Sequence, residues 1–165
     1  MDANIQTCSL TKLSPKQTKA FTLVLQQANK DKYLSPHEEE EVPKKPQCVV
    51  VLYGKEKLPI GYYTPRRESW PGHSYWRSGT VFIVPQYRGK GIMAQVLREF
   101  FETHQPGLAW IDDKNSASIN LFNALGFVKE RPKVDGDGNA GHWYIRPRTK
   151  LSAESNAKLP VYFNW

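Results

Sequence analysis

The sequence predicts a mixed α/β fold of the α+β type, with a single domain in a chain of 165 residues. Short apolar runs bounded by turn residues are typical of strands. Two longer segments place apolar residues three and four positions apart, as one buried helix face requires. With 39% hydrophobic residues, a chain of this length can bury one core.

The predicted elements alternate along the chain. Ser14 is expected to cap a first helix, with Pro15 at its first helical position. A second helix is predicted from about Gly89 to Thr103, and a third begins at Asn115. The apolar face of the first helix is predicted at positions 20, 21, 24, 25 and 28, and strands are predicted at residues 5–10, 47–53, 58–64, 80–84, 108–111, 127–129 and 141–146.

Two segments are predicted to be loops. The acidic block Glu38–Glu41 stands among prolines, which favours a flexible, solvated loop. Residues 65–79 mix arginines with aromatic residues. Such a loop can form a substrate lip that grips phosphates and stacks on bases. Alternatively, Trp70, Tyr75 and Trp76 cover the sheet as a cluster of buried rings.

Charge and cysteine content limit the classes of partner. The net charge of +7 favours nucleic acid, an acidic protein surface or a phosphorylated cofactor, and it also suits a solvated basic surface. Cys8 and Cys48 are far apart and have no close Cys or His companion, which predicts free thiols and no metal site. No run approaches the roughly 18 apolar residues of a membrane span, and Met1–Gln6 lacks signal-peptide features, so we expect a cytoplasmic protein without a membrane partner.

The stretch Val81–Ile92 passes from an apolar strand through a basic, glycine-rich turn into a helix. Unpaired backbone N–H groups and the positive end of the dipole favour an anion at such a helix start. Gly89 and Gly91 let an anion approach the main chain, while Arg88 and Lys90 add positive charge. The turn therefore predicts a pyrophosphate site.

Two other nucleotide-binding motifs fit this turn less well. A Walker A loop needs Lys and Ser or Thr directly after its last glycine, and here Ile92 and Met93 follow Gly91. A dinucleotide fingerprint is approximated, with Ala94 at its third glycine position. However, the chain lacks the repeated strand–helix units that carry this fingerprint.

A second segment, Asn115–Phe127, predicts a short helix that Asn115 caps and that Gly126 ends before a strand. Together, the turn and this helix resemble motifs A and B of the GNAT superfamily of acyl-CoA-dependent N-acetyltransferases. The resemblance covers roughly residues 78–130. The residues that carry it are Arg88, Gly91 and Met93 in the turn, and Asn115, Ser118, Leu125, Gly126 and Phe127 in the helix.

The resemblance implies a GNAT-like mixed, mainly antiparallel sheet of about six to seven strands. Helices would cover both faces, and strands four and five would splay apart around the pantetheine arm. It also implies acetyl-CoA as co-substrate, without a metal, and an oxyanion site on the main chain near Ile83 and Val84. The implied cofactor-binding residues are Phe82, Ile83, Val84, Arg88, Gly89, Lys90, Gly91, Ile92, Met93, Asn115, Ser118 and Phe122.

The chain departs from the family pattern at two positions. Phe122 stands where many members have a tyrosine that protonates the leaving thiolate, and Met93 replaces a small residue, which is expected to crowd the helix start. Because strand 80–84 has no carboxylate, Asp112 and Asp113 are the nearest candidates for a general base, and we expect one of them to face the splay. The further catalytic candidates are His73, Tyr75 and Tyr144.

We therefore predict a GNAT-like acyltransferase domain over residues 1–147. Residues 148–165 form an aromatic tail that docks onto this domain or onto a second copy as a homodimer. The predicted activity is direct acetyl transfer from acetyl-CoA to an amine of a protein, a small molecule or a nucleobase. The alternative, which Phe122 favours, is a catalytically reduced GNAT-like module that binds nucleic acid or a protein partner.

Overall fold

The structure, a computed structural model, describes residues 3–31, 36–70 and 72–148. Within these residues, nine strands and four α-helices confirm the predicted mixed α/β class. The aromatic tail, from residue 149 onward, lies outside the described residues. In chain order, the elements are β1 (Ile5–Ser9), α1 (Pro15–Lys30), α2 (Pro36–Glu41), β2 (Val49–Tyr53), β3 (Leu58–Tyr63), β4 (Arg66–Trp70), β5 (His73–Arg77), β6 (Val81–Ile83), α3 (Ile92–Thr103), β7 (Gly107–Asp112), α4 (Ser116–Ala124), β8 (Val128–Val134) and β9 (Ala140–Arg146).

The described residues form two compact units. The first comprises residues up to Arg66 together with Ser78–Val96, and the second comprises Arg67–Arg77 together with the residues from Leu97 onward. In the first unit, four antiparallel strands follow the order β1-β2-β3-β6. In the second, five strands follow the order β4-β5-β7-β9-β8, with β5 parallel to β7 and β9 antiparallel to both of its neighbours.

Helix α1 begins where the sequence predicts. The Ser14 side chain accepts a hydrogen bond from the Gln17 backbone, and the Gln17 side chain accepts one from the Ser14 backbone. This reciprocal capping box satisfies two donors that a helix start otherwise leaves unpaired. Ala20 is half-buried, and the other four predicted apolar positions are buried in the core of the first unit. The buried residues of this core are Phe21, Val24, Leu25, Ala28, Val42, Cys48, Val50, Leu52, Tyr62 and Phe82.

The prediction of a loop at Glu38–Glu41 is wrong. These residues lie in α2, and a 3₁₀ turn, Val42–Lys44, follows directly. Glu38 and Glu39 stand in the first turn of the helix, where negative charge interacts favourably with the helix dipole. Val42 is buried in the core of the first unit and anchors the end of this segment. Both cysteines are free thiols, as predicted.

The prediction of a loop over residues 65–79 is also wrong, because β4 and β5 lie within it. These two strands account for the difference between the predicted and observed strand numbers. Tyr75 is buried with Leu108 and Ile145, which supports the prediction that rings in this segment cover the sheet. Arg67 donates two hydrogen bonds to Ser74, and its guanidinium lies 5.3 Å from the centroid of the Trp76 ring. Side-chain pairs across the two strands thus stabilise a segment whose composition is typical of a loop.

Gly79 lies in the first unit at a position where a larger residue would clash with Thr64. Its φ is +66°, and a methyl group there would overlap the carbonyl and hydroxyl oxygens of Thr64. We expect Gly79→Ala to lower the free energy of unfolding by more than the about 1–2 kcal/mol that left-handed backbone alone costs. The matched control is Gly54→Ala, because Gly54 has a φ of +82° and open space around it. Equal losses for the two variants in urea denaturation would contradict this prediction.

Tyr75 makes stability depend on pH at the alkaline end. Burial, with a smaller effect of Glu130, raises the pKa of Tyr75 to about 12. Above pH 10 the unfolded chain loses this proton while the folded chain retains it, so the free energy of unfolding falls as the pH rises. We expect Tyr75 to contribute about 2 kcal/mol to the fall between pH 10 and 12. In urea denaturation, the free energy of unfolding of Tyr75→Phe should fall less between pH 10 and 12 than that of the wild type. Equal falls for the two proteins would refute this prediction.

Candidate functional site

The glycine-rich turn forms the link between β6 and α3. After a 3₁₀ turn at Pro85–Tyr87, Gly89 and Gly91 adopt φ values of +78° and +73°, and α3 begins at Ile92. The helix therefore starts later than the predicted Gly89, because these φ values are incompatible with a right-handed helix. A side chain at either glycine would meet no neighbouring atom, so the space in front of the turn is open.

The first residues of α3 are held by their side chains. Ile92 and Met93 are 3% and 7% exposed, and the Gln95 N–H donates to the Gly91 carbonyl at 3.1 Å. The Met93 side chain is therefore buried at the helix start. The helix start presents backbone N–H groups that have no partner within the helix, together with the positive end of the dipole.

The two basic residues of the turn differ in their contacts. Lys90 is exposed, and its Nζ lies 5.4 Å from the centroid of the Tyr87 ring. The Arg88 Nε donates to the Ile83 carbonyl at 2.9 Å, and the Arg88 Nη2 lies 3.6 Å from Oδ2 of Asp31. The Arg88 guanidinium also lies 5.3 Å from the centroid of the buried Phe82 ring. Lys90 therefore carries a solvent-facing charge, while Arg88 is engaged by neighbouring protein groups.

The edge strand β6 presents the backbone of one residue toward its open side. Phe82 and Ile83 pair with Tyr62 and Gly61, and the Val84 N–H donates to the Ile60 carbonyl at 2.9 Å. Because hydrogen-bonded pairs alternate along an antiparallel ladder, the N–H and C=O of Ile83 point away from β3. The Nε group of Arg88 donates a hydrogen bond to this C=O. The Ile83 N–H is the donor left for a ligand, whereas the Val84 N–H is already used.

The predicted residues at the start of α4 are partly committed to the helix itself. Oδ1 of Asn115 accepts a hydrogen bond from the Ser118 N–H at 3.1 Å, so Asn115 is the N-cap. Ser118 is half-buried. The Phe122 ring is 7% exposed and packs edge-on against Phe127, with the ring centroids 4.9 Å apart. The Nδ2 group of Asn115 is the part of this side chain that the cap does not use.

The two candidate carboxylates have different roles. Oδ1 of Asp112 accepts the Lys114 N–H at 2.8 Å and so fixes the turn after β7. Oδ1 of Asp113 lies 2.6 Å from Nδ1 of His142. In a neutral imidazole this contact requires that Nδ1 carries the proton, because a carboxylate can only accept. Nε2 of His142 then bears the lone pair, and within the described residues it has no partner.

Tyr144 shares a face of β9 with His142, because residues two apart on a strand point to the same side. It is 2% exposed, and burial together with the nearby Asp113 charge raises the pKa of its phenol. Its hydroxyl makes no hydrogen bond to any described residue. The remaining candidate, His73, lies in β5, with its ring centroid 6.4 Å from that of Tyr75.

His142 is the residue of this group that the sequence did not single out. Its strand was predicted, but the register that places it beside Asp113 is a long-range property of β7 and β9. The available signal was the spacing of His142 and Tyr144, two residues apart on the predicted strand 141–146. No group of three metal-ligating side chains occurs among residues 3–31, 36–70 and 72–148. Within the same ranges, no helix is long and apolar enough to cross a membrane.

Comparison with known proteins identifies the family. A model of the acetyltransferase (GNAT) family matches residues 12–127. The chain belongs to the GNAT family of acetyltransferases. This confirms the resemblance drawn from the turn and the α4 segment. A comparison with curated proteins found no sequence match.

Solved structures support the same fold. A GNAT-family acetyltransferase from Streptococcus agalactiae superposes with a TM-score of 0.68 and 16% identity, covering 88% of this chain and 96% of that one. The microcin C7 self-immunity acetyltransferase MccE, in complex with acetyl-CoA and AMP, superposes with a TM-score of 0.65 and 11% identity, covering 88% of this chain and 93% of that one. A chain of the NatC complex bound to Gag peptide and CoA superposes with a TM-score of 0.63 and 16% identity, covering 88% of this chain and 99% of that one.

Proposed function

We propose that the chain is an acyl-CoA-dependent N-acetyltransferase that moves an acetyl group from acetyl-CoA directly to an acceptor amine. The observation that carries this proposal is the turn at Gly89–Gly91, which is exposed, has open space in front of it and leads into the start of α3. Family membership supports the assignment. The solved structures of MccE and NatC, which share the fold, are complexes with acetyl-CoA and CoA, respectively.

The residues of the turn fit a pyrophosphate. Backbone N–H groups from Gly89 to Met93 would hold its oxygens, and the exposed Lys90 ammonium would add charge. The glycines fit because the space beside both is open, so an anion could approach the main chain there. By resemblance, Asn115 and Ser118 would contact the pantetheine, and Nδ2 of Asn115 is the donor available for this.

Acetyl-CoA supplies an activated acyl group, whose C–S bond breaks as the bond between the acceptor nitrogen and the acetyl carbon forms. The Ile83 N–H is the proposed donor that polarises the acyl carbonyl, because the Val84 N–H is bonded to Ile60. A preorganised backbone donor of this kind stabilises the oxygen as negative charge develops on it.

Two protons must move during the transfer. Nε2 of His142 would accept the proton from the acceptor amine, while Asp113 holds the ring through Nδ1 and stabilises the imidazolium that forms. The Tyr144 hydroxyl would protonate the departing thiolate, a role that Phe122 cannot take. A tyrosine hydroxyl is protonated at neutral pH, and the raised pKa of Tyr144 is consistent with this state. The protein, small-molecule and nucleobase amines remain the predicted acceptors, and a cytoplasmic location stays a prediction.

Binding of CoA tests the proposed function directly. Calorimetric titration of the wild type should give a micromolar Kd, equivalent to about −8 kcal/mol. Gly91→Asp places a carboxylate against the pyrophosphate and should weaken binding at least tenfold. Gly54→Asp is the matched control, because Gly54 also has a positive φ and open surroundings. Wild-type protein without CoA affinity, or equal affinities for the two variants, would refute the proposal and favour the binding-module alternative.

The proton-transfer roles predict specific kinetic losses. With the best acceptor from a panel of peptide amines, small amines and nucleobases, His142→Gln should lower kcat about 100-fold and leave the KM for acetyl-CoA unchanged. The deficit should shrink at high pH, where the amine deprotonates on its own. The control variant is His104→Gln, which replaces a histidine that has no proposed catalytic role and should not show this loss of kcat.

Tyr144→Phe should lower kcat about tenfold or more. Adding Phe122→Tyr should restore part of this loss, because the family's usual proton donor is then present. An unchanged pH profile in His142→Gln, or full activity in Tyr144→Phe, would remove these residues from the mechanism.

A further inference from the structure

The arginine of the glycine-rich turn points to a positioning role that the family pattern does not assign. We propose that Arg88 acts as a strut that fixes the backbone of β6 at Ile83, and that Asp31 is the positioning residue that holds this strut. The proposal rests on the proposed function, because the Ile83 backbone matters through its part in binding and polarising the acyl donor. It removes Arg88 from the set of direct phosphate ligands and adds Asp31 to the residues that determine CoA affinity.

Asp31 is itself held at the end of α1. Its backbone N–H donates to the Gln27 carbonyl at 2.9 Å, and its Oδ1 accepts the Gln27 Nε2 at 2.9 Å. Its Oδ2 is shielded from solvent and accepts no hydrogen bond from the described residues. The Arg88 guanidinium lies 3.6 Å from this oxygen. Because a desolvated carboxylate oxygen is costly without a nearby cation, the pair is favoured where it stands.

At its other side, Arg88 fixes the edge of the sheet. The Ile83 carbonyl points away from β3 and would lack a partner there, and Nε of Arg88 donates to it at 2.9 Å. The guanidinium also lies over the ring of Phe82, which is 2% exposed. The contacts with Asp31, Ile83 and Phe82 therefore hold the arginine in one orientation. That orientation fixes the peptide plane after Ile83, and with it the backbone that carries the Ile83 N–H.

A competing arrangement predicts the opposite effect of one substitution. If Arg88 released Asp31 to bind pyrophosphate, the carboxylate would compete with the ligand, and Asp31→Asn would tighten CoA binding. If Arg88 is a strut, Asp31→Asn loosens it and weakens CoA binding. The sign of the change therefore separates the two arrangements.

The test is calorimetric titration with CoA of the wild type, Asp31→Asn, Arg88→Gln and the double variant. We expect each single variant to weaken binding about five- to tenfold. The double variant should be no weaker than Arg88→Gln, because both substitutions remove the same strut. Arg88→Lys should fail to restore affinity, since lysine supplies charge without the forked geometry. Tighter binding by Asp31→Asn, additive losses, or full affinity in Arg88→Lys would overturn the proposal.

Two controls separate the strut from general charge effects. Glu56→Gln removes one negative charge in the exposed turn between β2 and β3, and CoA affinity should not change. Lys90→Gln removes a charge proposed to face the pyrophosphate. The loss of CoA affinity that it causes should therefore add to the loss caused by Asp31→Asn. The strut is identified if the effect of Asp31→Asn on CoA affinity adds to that of Lys90→Gln but does not add to that of Arg88→Gln.

A measurement without CoA distinguishes failure of the strut from failure of the proposed function. The carbonyl ¹³C resonance of Ile83 in the ligand-free protein reports the hydrogen bond from Arg88, and we expect it to shift in the same direction in Asp31→Asn and Arg88→Gln. An unshifted resonance in both variants overturns the strut. Wild-type protein that lacks CoA affinity but shows these shifts would refute the proposed function and leave the strut standing.

Discussion

The short strand β6 is the constraint on which the glycine-rich turn and the open backbone edge beside it depend. Its middle residue, Phe82, is buried in the core of the first unit, which fixes the strand against β3. Since strand residues alternate, burial of Phe82 forces the backbone groups of Ile83 toward the open edge. The same anchoring sets where the chain leaves the sheet, and hence where Gly89 and Gly91 turn it into α3.

The parts of the fold governed by local chemistry could be predicted from the sequence. The Ser14 cap, the buried face of α1 and the glycine-rich turn each follow from residues close together in the chain. The β4–β5 segment was missed because its arginines and tryptophans are stabilised by pairs formed only across the two strands, such as Arg67 with Trp76. Helix α2 was missed because the burial of Val42, which anchors its end, is a tertiary contact.

The candidate residues of the two units divide in the same way. The backbone donors of the turn follow from glycine spacing, whereas the contact between Asp113 and His142 depends on the register of β7 against β9. Charge and the family resemblance both placed Arg88 among the cofactor-binding residues, although neither gives information on whether a neighbouring carboxylate contacts the side chain. Because Phe122 cannot donate a proton, the proposed function assigns this role to Tyr144 on β9, two residues from His142.

The two outer strands of the second sheet bear on how this protein behaves at high concentration. β4 carries Arg66, Arg67 and Glu68, and β8 contains Pro132 and a register shift between Lys129 and Pro132. Charged side chains, proline and bulges all disfavour the addition of a foreign strand to an exposed ladder. The sheet is therefore protected against edge-to-edge aggregation on both sides, and a second copy would find neither edge a good template for pairing.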